Sequence, residues 1–554
     1  MGYRLMDDSG TLLIMARDLQ ADMLTLRTVL EHAERRDFER AAGLAEKALA
    51  SGFEHPMLLN VAATRLEQQG RLEAALELLE RAVRMAPKDV GARHALGLCL
   101  QRLDRPAEAL RHIDTLLKQH DDLPFAHVSK GNALIALGAL GSAMQSHLRA
   151  VELEPRNLAA LAALASIASH RGQHARARQW AERALAVAPG YPDAVLCVAA
   201  ADAADGNYGA AENLLQQLII DSRAGPMDRA RAAGLLADVL DADGRHASAF
   251  EYYGVCNQEL RKIHARLAGS NVLGYTRECT AALVRTDASR WQCAPEMPAA
   301  AAAGHVFLLG FPRSGTTLLE VVLDGNPRVA SLEEHELLCD GVLEFMCQPV
   351  DWERLAQAEP PRLQRLRDAY WRAVRDAGIE PSGKVFIDKH PLNTLKLPLI
   401  ARLFPQAKIV FAVRDPRDVI LSCFRRRFKM NPSMYEFLTL RGAADFYDAA
   451  MRFADTAKGS LGFEWYEVRY ESLVGDFERQ MRAICDYLGL EWLPSMGEFG
   501  GRVQAREHAT PSTAQLSRGL MTTAASSWRH YAEPLRDIMP TLEPWLQRFG
   551  YTAG

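Results

Sequence analysis

The residues best suited to chemistry form a glycine-containing loop beyond the middle of the chain. Gly310-Phe-Pro-Arg-Ser-Gly-Thr-Thr317 lies between a short apolar run and a segment with helical apolar spacing. In such a strand-loop-helix unit, backbone N–H groups and the helix N-terminus converge on one anion. The loop of nucleotide hydrolases has a lysine where this chain has Thr316, so a triphosphate would lose its β/γ-phosphate clamp. Arg313 and the two threonine hydroxyls therefore predict a site for a smaller anion. The alternative is a strand-to-helix turn without a ligand.

A second anion-binding pattern lies further along the chain, in Val413-Arg-Asp-Pro-Arg-Asp-Val-Ile-Leu-Ser-Cys-Phe424. Arg414 ends a predicted strand, and Ser422 lies about two turns into the helix that follows, so both side chains can converge on one anion. Arg426, four residues on, shares the helix face of Ser422. Taken alone, the Arg-Asp-Pro-Arg-Asp sequence is also typical of a strand-end turn with surface ion pairs.

Together, these two motifs resemble those of the sulfotransferases. Phe311–Thr317 is similar to their 5′-phosphosulfate loop, and Val413–Phe424 is similar to their 3′-phosphate motif. The resemblance covers residues 304 to about 550 and is closest to tetratricopeptide-repeat and tyrosylprotein sulfotransferases. It implies 3′-phosphoadenosine-5′-phosphosulfate (PAPS) as donor, phosphoadenosine phosphate (PAP) as product, and no metal. The donor-binding residues implied by the two motifs are Arg313, Ser314, Gly315, Thr316, Thr317, Arg414, Ser422 and Arg426.

Three further segments fit the same family. Lys384–Pro391 resembles the segment that carries a catalytic lysine, here Lys389. Val468–Val474 resembles the element whose tyrosine, here Tyr470, lies near the adenosine. Ala525–Tyr531 resembles a late Ser-x-Trp loop. The resemblance therefore implies that Ser526 assists Lys389 at the leaving group and that Trp528 contacts the donor.

The identity of the general base stays open among four residues. In the tyrosylprotein enzymes a glutamate follows a Pro-x-Val stretch, and here Asn326–Glu336 contains Glu333, Glu334 and Glu336. The spacing from the proline favours Glu333. At least one of the three carboxylates is expected to lie in an acidic helix start exposed to solvent. His390 is the rival base, because cytosolic sulfotransferases use a histidine in a comparable segment.

The first half of the chain has a repeating pattern. Ala75, Ala109, Ala143, Ala177 and Ala211 recur every 34 residues, and other small residues hold two further phases of the same period. Small residues at fixed phases permit close helix packing, as in the tetratricopeptide repeat that this pattern resembles. Six or seven repeats are expected over residues 22–260.

From residue 304 the period changes to strands alternating with helices, which predicts a parallel sheet covered on both faces. The predicted fold class is an N-terminal tetratricopeptide α-solenoid followed by a P-loop-like parallel-sheet α/β sulfotransferase domain. The predicted domains are a solenoid over 1–261, a linker over 262–303 and a sulfotransferase domain over 304–554.

Composition limits the partners. The chain has 554 residues and a formal net charge of −4, which argues against a general affinity for nucleic acid or anionic membranes. The nine cysteines contain no C-x-x-C pair, and no apolar run approaches about 18 residues. A cytoplasmic location is expected, with neither a metal site nor a disulfide framework.

The sequence thus predicts a PAPS-dependent sulfotransferase whose acceptor is a hydroxyl, with a polypeptide held by the repeats as the favoured partner. Acceptors that are carbohydrates, lipids or small phenols satisfy the same chemistry. The alternative functions are a P-loop kinase and a tetratricopeptide scaffold with an inactive nucleotide-binding domain.

Overall fold

The structure is a computed structural model of the chain, and it describes residues 22–35, 37–291, 302–347, 349–505 and 526–552. The chain divides into two compact units. The first comprises residues up to 169 together with 175–194, and the second comprises 170–174 and 195–554.

The first unit is built from helical hairpins. The five pairs of helices are 22–34 with Phe38–Ala50, Pro56–Gln68 with Leu72–Met85, Val90–Arg102 with Pro106–Leu117, Pro124–Ala136 with Leu140–Leu153, and Leu158–His170 with His174–Val187. The alanines of the predicted phase, Ala75, Ala109, Ala143 and Ala177, are all fully buried. The 34-residue period is therefore confirmed as a helix-packing period.

The turns within the hairpins repeat with the same period. Gly70, Gly138 and Gly172 all have positive φ angles, as the left-handed turn between two helices requires. Asp104 occupies the equivalent turn with a φ of 57° and is the non-glycine exception. These glycines are therefore a second sequence signature of the repeat, separate from the alanine pattern.

The second unit begins with helices that continue the repeat pattern. They are Pro192–Ala204, which contains the division near residue 194, then Tyr208–Ile220, Pro226–Ala242 and His246–Ile263. Counted over the described residues, seven helix pairs result, in agreement with the predicted six or seven.

A five-stranded parallel sheet follows in the same unit. The strands are β1 (Gly304–Gly310), β2 (Val329–Glu333), β3 (Val385–Lys389), β4 (Lys408–Val413) and β5 (Trp465–Arg469), in the spatial order β2-β3-β1-β4-β5. The apolar runs 305–310, 384–387 and 408–413 predict β1, β3 and β4, whereas no such run marks the short edge strands β2 and β5. The predicted α/β class with a parallel sheet is confirmed.

Both faces of the sheet are covered, as the alternation of buried side chains along β1 requires. Phe307 and Leu309 point into one apolar core, while Val306 and Leu308 point into the other. The helices of this domain are Thr316–Leu323, Cys339–Phe345, Trp352–Ala356, Pro360–Asp376, Leu397–Leu403, Pro416–Arg425, Pro432–Glu436, Leu440–Ser460, Tyr470–Gly475, Phe477–Leu488, Phe499–Ala505, Ala532–Leu535 and Met539–Arg548. Short 3-10 turns occupy Pro391–Lys396, Pro494–Gly497, Ser527–Tyr531 and Arg536–Ile538.

The predicted linker over 262–303 contains a packed helix. The helix Val272–Arg285 places Cys279 and Leu283 in the same core as Phe307, and the Trp352 indole N–H donates to the Cys279 carbonyl at 3.0 Å. The short 3-10 turns Ala265–Gly269 and Ala288–Trp291 flank this helix. The sequence lost the repeat phase here because this helix packs on the sheet domain rather than on another repeat. The predicted boundaries at 261 and 304 stay predictions, since the compact units divide elsewhere.

This packing predicts that a fragment starting at residue 195 is more stable than one starting at 304. The shorter fragment loses the helix Val272–Arg285, and each fully buried leucine-sized side chain contributes about 1.5–3 kcal/mol. We expect the fragment 195–554 to unfold cooperatively at the higher temperature in calorimetry. Equal melting temperatures for the two fragments would contradict the role given to this helix.

Candidate active site

The carboxyl edge of the sheet brings together the ends of all five strands. β1 ends at Gly310, β2 at Glu333, β3 at Lys389, β4 at Val413 and β5 at Arg469. In open parallel sheets this edge is where ligands bind, because the loops that leave the strands converge there. Most of the residues singled out in the sequence lie at these five ends or directly after them.

The loop after β1 has the backbone of an anion-binding turn. Gly310 and Gly315 have φ angles of 151° and 101°, and Arg313 adopts a φ of 73°. A Cβ atom on Gly315 would lie 2.6 Å from Cδ2 of Tyr470, so a larger residue would displace that ring. The helix Thr316–Leu323 begins directly after Gly315, as predicted. The loop residues Ser314, Thr316 and Thr317 are buried.

Arginines from two strand ends meet at this loop. Nε of Arg313 donates to the Ser422 hydroxyl at 3.0 Å, and a terminal nitrogen of Arg414 donates to the Arg313 carbonyl at 3.3 Å. The Arg414 guanidinium also lies 4.7 Å from the centre of the Tyr470 ring. The structure therefore brings Arg414 and Ser422 together with Arg313 and Tyr470, which come from other strand ends.

The cluster has an excess of positive charge. Burial, followed by the charges of Arg426 and Arg414, lowers the pKa of the Arg313 guanidinium to about 10. Burial also lowers the pKa of Arg426. Positive charges that disfavour one another in this way gain free energy when an anion binds among them.

The Arg-Asp-Pro-Arg-Asp sequence is not a surface turn. Asp415, Arg417 and Asp418 are all buried, and Arg417 Nη2 donates to Asp415 at 2.8 Å. The interpretation as exposed ion pairs is therefore wrong, because the helix Pro416–Arg425 packs this motif against the core. The burial of these side chains results from that packing, which cannot be predicted from the local sequence.

Asp418 organises a second loop, a role the sequence did not suggest. Its carboxylate accepts the backbone N–H groups of Ser526 at 2.7 Å and Trp528 at 2.9 Å. Burial raises the pKa of Asp418 against the effect of these bonds. The only sign of this role in the sequence is an aspartate within the arginine-containing segment 414–418.

The loop fixed by Asp418 lies next to a small cavity. Arg417 lies 3.7 Å above the ring of Trp528, which is nearly buried, whereas Ser526 is exposed and has a φ of 71°. A cavity of about 260 Å³ is lined by Asp415, Arg417, Arg469, Glu471, Ser526, Trp528, Arg529, Gly550, Tyr551 and Thr552. The hydrogen bond from the Ser526 backbone to Asp418 thus connects this loop to the 3′-phosphate motif.

The candidate base and the candidate catalytic lysine lie on neighbouring strands. Glu333 and Lys389 occupy matching register positions at the ends of β2 and β3, and Lys389 Nζ donates to Glu333 Oε1 at 2.6 Å. Lys389 is fully buried, while the Glu333 side chain is 16% exposed. Strand register alone brings together two groups that are 56 positions apart in the chain.

Lys389 interacts with several carboxylates at once. Burial by itself would lower the pKa of Lys389, but the charges of Glu333, Glu334 and Glu320 raise it above its ordinary value. Glu320 is a buried residue of the helix after the loop and accepts the Ser331 hydroxyl at 2.6 Å. Burial raises the pKa of Glu333, against the opposing charge of Lys389. A carboxylate of raised pKa beside solvent is suited to accept a proton.

The structure separates the rival bases. Glu334 accepts a hydrogen bond from Lys389 Nζ at 3.0 Å, but its side chain is 50% exposed. Glu336 pairs with His390 at 3.1 Å and with Lys396 at 2.5 Å, and the His390 hydrogen bond is the main cause that lowers its pKa to about 2. The low pKa makes Glu336 a weak base, and its contact occupies one ring nitrogen of His390.

A larger cavity of about 590 Å³ lies at the opposite edge of the sheet. Its lining includes Gly304, Val385 and Lys408, the first residues of β1, β3 and β4. The candidate catalytic and donor-binding residues do not line this cavity. Within the described part of the chain, no helix is both long and apolar enough to cross a membrane.

Comparison with known proteins finds different families in the N-terminal and C-terminal parts of the chain. Residues 305–494 match the sulfotransferase family, and residues 26–90 and 66–128 match the tetratricopeptide repeat. The protein-tyrosine sulfotransferase 1 of Danio rerio is 25% identical over 270 residues, which are 44% of this chain and 72% of that protein. The protein-tyrosine sulfotransferase 1 of Homo sapiens is 27% identical over 260 residues, 44% of this chain and 69% of that protein.

Other similar proteins match different fractions of this chain and of their own length. An uncharacterized protein of Aquifex aeolicus is 24% identical over 246 residues, and the match spans 43% of this chain but only 32% of that protein. Among solved structures, the sulfotransferase domain from the curacin biosynthetic pathway is 20% identical, covers 47% of this chain and 100% of its own, and has a TM-score of 0.34. The family matches over residues 26–128 and 305–494 show that the chain joins tetratricopeptide repeats in its N-terminal part to a domain of the sulfotransferase family in its C-terminal part.

Proposed function

We propose that this sulfotransferase domain uses PAPS as donor and transfers its sulfuryl group to an acceptor hydroxyl. The observation that carries the proposal is the cluster of Arg313, Arg414 and Ser422 around a phosphate loop that has Thr316 in place of lysine. Two guanidinium groups and the Ser422 hydroxyl lie at the loop that leads into the helix Thr316–Leu323, which suits a donor with two separate anionic groups.

The chain's own residues supply binding, orientation and proton transfer. Arg313 and the amides of the loop would hold the phosphosulfate, and Arg414, Ser422 and Arg426 would hold the 3′-phosphate. Tyr470 and Trp528 would contact the adenosine. When bound, the donor supplies a sulfuryl group, which passes to the acceptor oxygen as PAP is released. Glu333 would accept the acceptor's proton, and Lys389, assisted by Ser526, would offset the negative charge on the leaving oxygen.

For the acceptor we propose a tyrosine in a polypeptide. The similarity to protein-tyrosine sulfotransferases supports this class of acceptor, and tetratricopeptide repeats commonly bind extended polypeptides. Incubation of the protein and ³⁵S-labelled PAPS with a tyrosine-containing acidic peptide and its phenylalanine counterpart tests it. Label in the tyrosine peptide alone is expected, and label only in added carbohydrate, lipid or small phenol would overturn the choice of acceptor. A cytoplasmic location remains a further prediction, and localisation of a tagged chain tests it.

The choice of donor predicts a selective thermal shift. PAP at about 100 times its dissociation constant should stabilise the folded protein by about 2.7 kcal/mol, and adenosine diphosphate at the same concentration should stabilise it much less. The difference arises because only PAP places a phosphate on Arg414 and Ser422. Differential scanning fluorimetry measures both ligands.

The matched variants are Arg414→Gln and Ser422→Ala, which should lose the preference for PAP. A larger shift with adenosine triphosphate and magnesium than with PAP would favour the kinase alternative. Selective PAP binding without any transfer from PAPS would favour the inactive scaffold.

A further inference from the structure

The last helical pair of the repeat pattern, Pro226–Ala242 with His246–Ile263, presents two carboxylates to the sulfotransferase motif. Asp241 accepts from Arg425, and Asp238 accepts from Arg427 at 2.9 Å. These two aspartates are three residues apart and therefore share one face of their helix. They bind the first and third members of the arginine run 425–427, which follows the 3′-phosphate motif directly.

Other contacts hold the same junction in place. The Asn257 amide donates to the carbonyl of Phe424 at 2.9 Å, and the rings of Phe250 and Phe424 are stacked with centroids 5.3 Å apart. The Tyr253 hydroxyl donates to Asp238 at 2.8 Å. A Cβ atom on Gly234 would overlap the Arg427 guanidinium, so the glycine leaves space for that side chain. The backbone on both sides of Arg426 is therefore fixed by the helical pair.

Arg426 itself is held differently from its two neighbours. Within residues 22–35, 37–291, 302–347, 349–505 and 526–552, its guanidinium has no hydrogen-bond or ion-pair partner. Its charge nevertheless acts on Arg313 of the phosphate loop and lowers the pKa of that residue. A half-buried cation without a protein partner, close to an anion-binding loop, is available to bind a ligand anion.

Asp241 also reaches the loop that follows Trp528. It accepts from the Tyr531 hydroxyl and contacts Nδ1 of His246 at 3.1 Å, and the His246 ring stacks on His530 with centroids 4.3 Å apart. One carboxylate of the helical pair thus contacts two of the chain segments to which donor contacts are assigned, through Arg425 and Tyr531.

We propose that Asp238 and Asp241 are positioning residues for the donor site: by binding Arg427 and Arg425 they direct Arg426 to the 3′-phosphate of the donor. The proposal rests on the proposed function, since it assigns a ligand to Arg426. It also makes the final helical pair a part of the donor-binding unit in addition to any role in partner binding.

The test uses the full chain with Asp238→Asn, Asp241→Asn, the double variant and Arg426→Gln. Isothermal titration calorimetry gives the affinities for PAP and for adenosine diphosphate, which lacks the 3′-phosphate. Each aspartate variant is expected to weaken PAP binding by about tenfold, as for a charged hydrogen bond that is lost, with the affinity for adenosine diphosphate unchanged. Asp228→Asn is the matched control, because Asp228 lies in the first turn of the same helix and pairs with Arg231 instead.

A mutant cycle separates positioning from general support of the fold. In the Arg426→Gln background, Asp238→Asn and Asp241→Asn should cause no further loss of PAP affinity, because they act through Arg426. Additive losses, an equal loss for adenosine diphosphate, or unchanged PAP affinity in folded aspartate variants would each overturn the proposal. If the double variant does not fold, the single variants decide the result in the same way. A wild-type protein without preference for PAP would instead overturn the proposed function, and this proposal with it.

Discussion

Glu333→Gln is expected to lower the turnover of sulfuryl transfer by about 10²- to 10⁴-fold, the range typical of a lost general base. Glutamine has the same shape and keeps an oxygen that can accept from Lys389 Nζ, which lies 2.6 Å from the carboxylate in this structure. The variant therefore loses the proton acceptor with little change in geometry. PAP affinity, measured by calorimetry, should remain near the wild-type value, because Glu333 acts in the transfer step.

The matched control is Glu334→Gln. Glu334 accepts from the same lysine at 3.0 Å, but its side chain is half exposed. Turnover in this variant should stay within a few-fold of wild type, as should turnover in His390→Gln, where the partner is Glu336. Full activity in Glu333→Gln together with a large loss in either control would reassign the base.

The pH dependence provides a second measure of the same residue. A general base must be ionised, so turnover should fall as the pH drops through the pKa of Glu333. Burial raises that pKa above the ordinary value of 4.5, so the loss should begin at a higher pH than for an exposed glutamate. Glu333→Gln should abolish this acidic limb of the turnover profile, and an unchanged limb would assign it to another group.

Lys389→Met should reduce turnover by about 10²- to 10³-fold and should also weaken donor binding. The lysine charge would act on the bridging oxygen of the donor both in the ground state and as that oxygen leaves. Steady-state kinetics should therefore show a lower kcat and a higher KM for PAPS, unlike Glu333→Gln. A variant with normal kcat would contradict the catalytic role.

The same substitution should destabilise the fold. Lys389 is fully buried and is the cation beside Glu333, Glu334 and Glu320, and breaking a buried pair costs about 3–5 kcal/mol. Burial raises the pKa of Glu333 and the charge of Lys389 opposes this rise, so removal of the lysine should raise that pKa further in the folded state. Part of the lost stability should thus return as the pH falls and Glu333 becomes protonated. Adding Glu333→Gln to Lys389→Met should restore part of the stability but no turnover, which separates the structural role from the catalytic one.

Local sequence was sufficient for the elements whose signals are themselves local. The 34-residue alanine phase predicted the helical repeats, because each small residue is required by packing within one hairpin or with the next. The glycine spacing of 310–317 predicted the strand, loop and helix, because a left-handed φ at Gly315 is a property of the loop backbone. The motif around Arg414 is local for the same reason, since Arg414 directly follows β4 and Ser422 lies in the helix Pro416–Arg425 that comes next.

The short edge strands gave weak signals. β2 and β5 have five residues each, and each ends in a charged residue that is partly exposed. The helix within the predicted linker and the buried position of Asp418 were also missed. In each case the side chain's environment is provided by a segment distant in sequence, such as the loop that contains Ser526 and Trp528.

What the sequence by itself determined was the class of each half of the chain and the residue types of the candidate donor site, because these depend on periodicity and on motifs that are short in sequence. The tertiary structure alone decided that Glu333 lies opposite Lys389, because this pairing depends on the strand order β2-β3-β1-β4-β5 and on the register of β2 on β3. It alone joined the last helical pair to the arginine run through Asp238 and Asp241. The physical reason is that contacts between segments far apart in the chain form only when the core packs, and no local pattern encodes the partner.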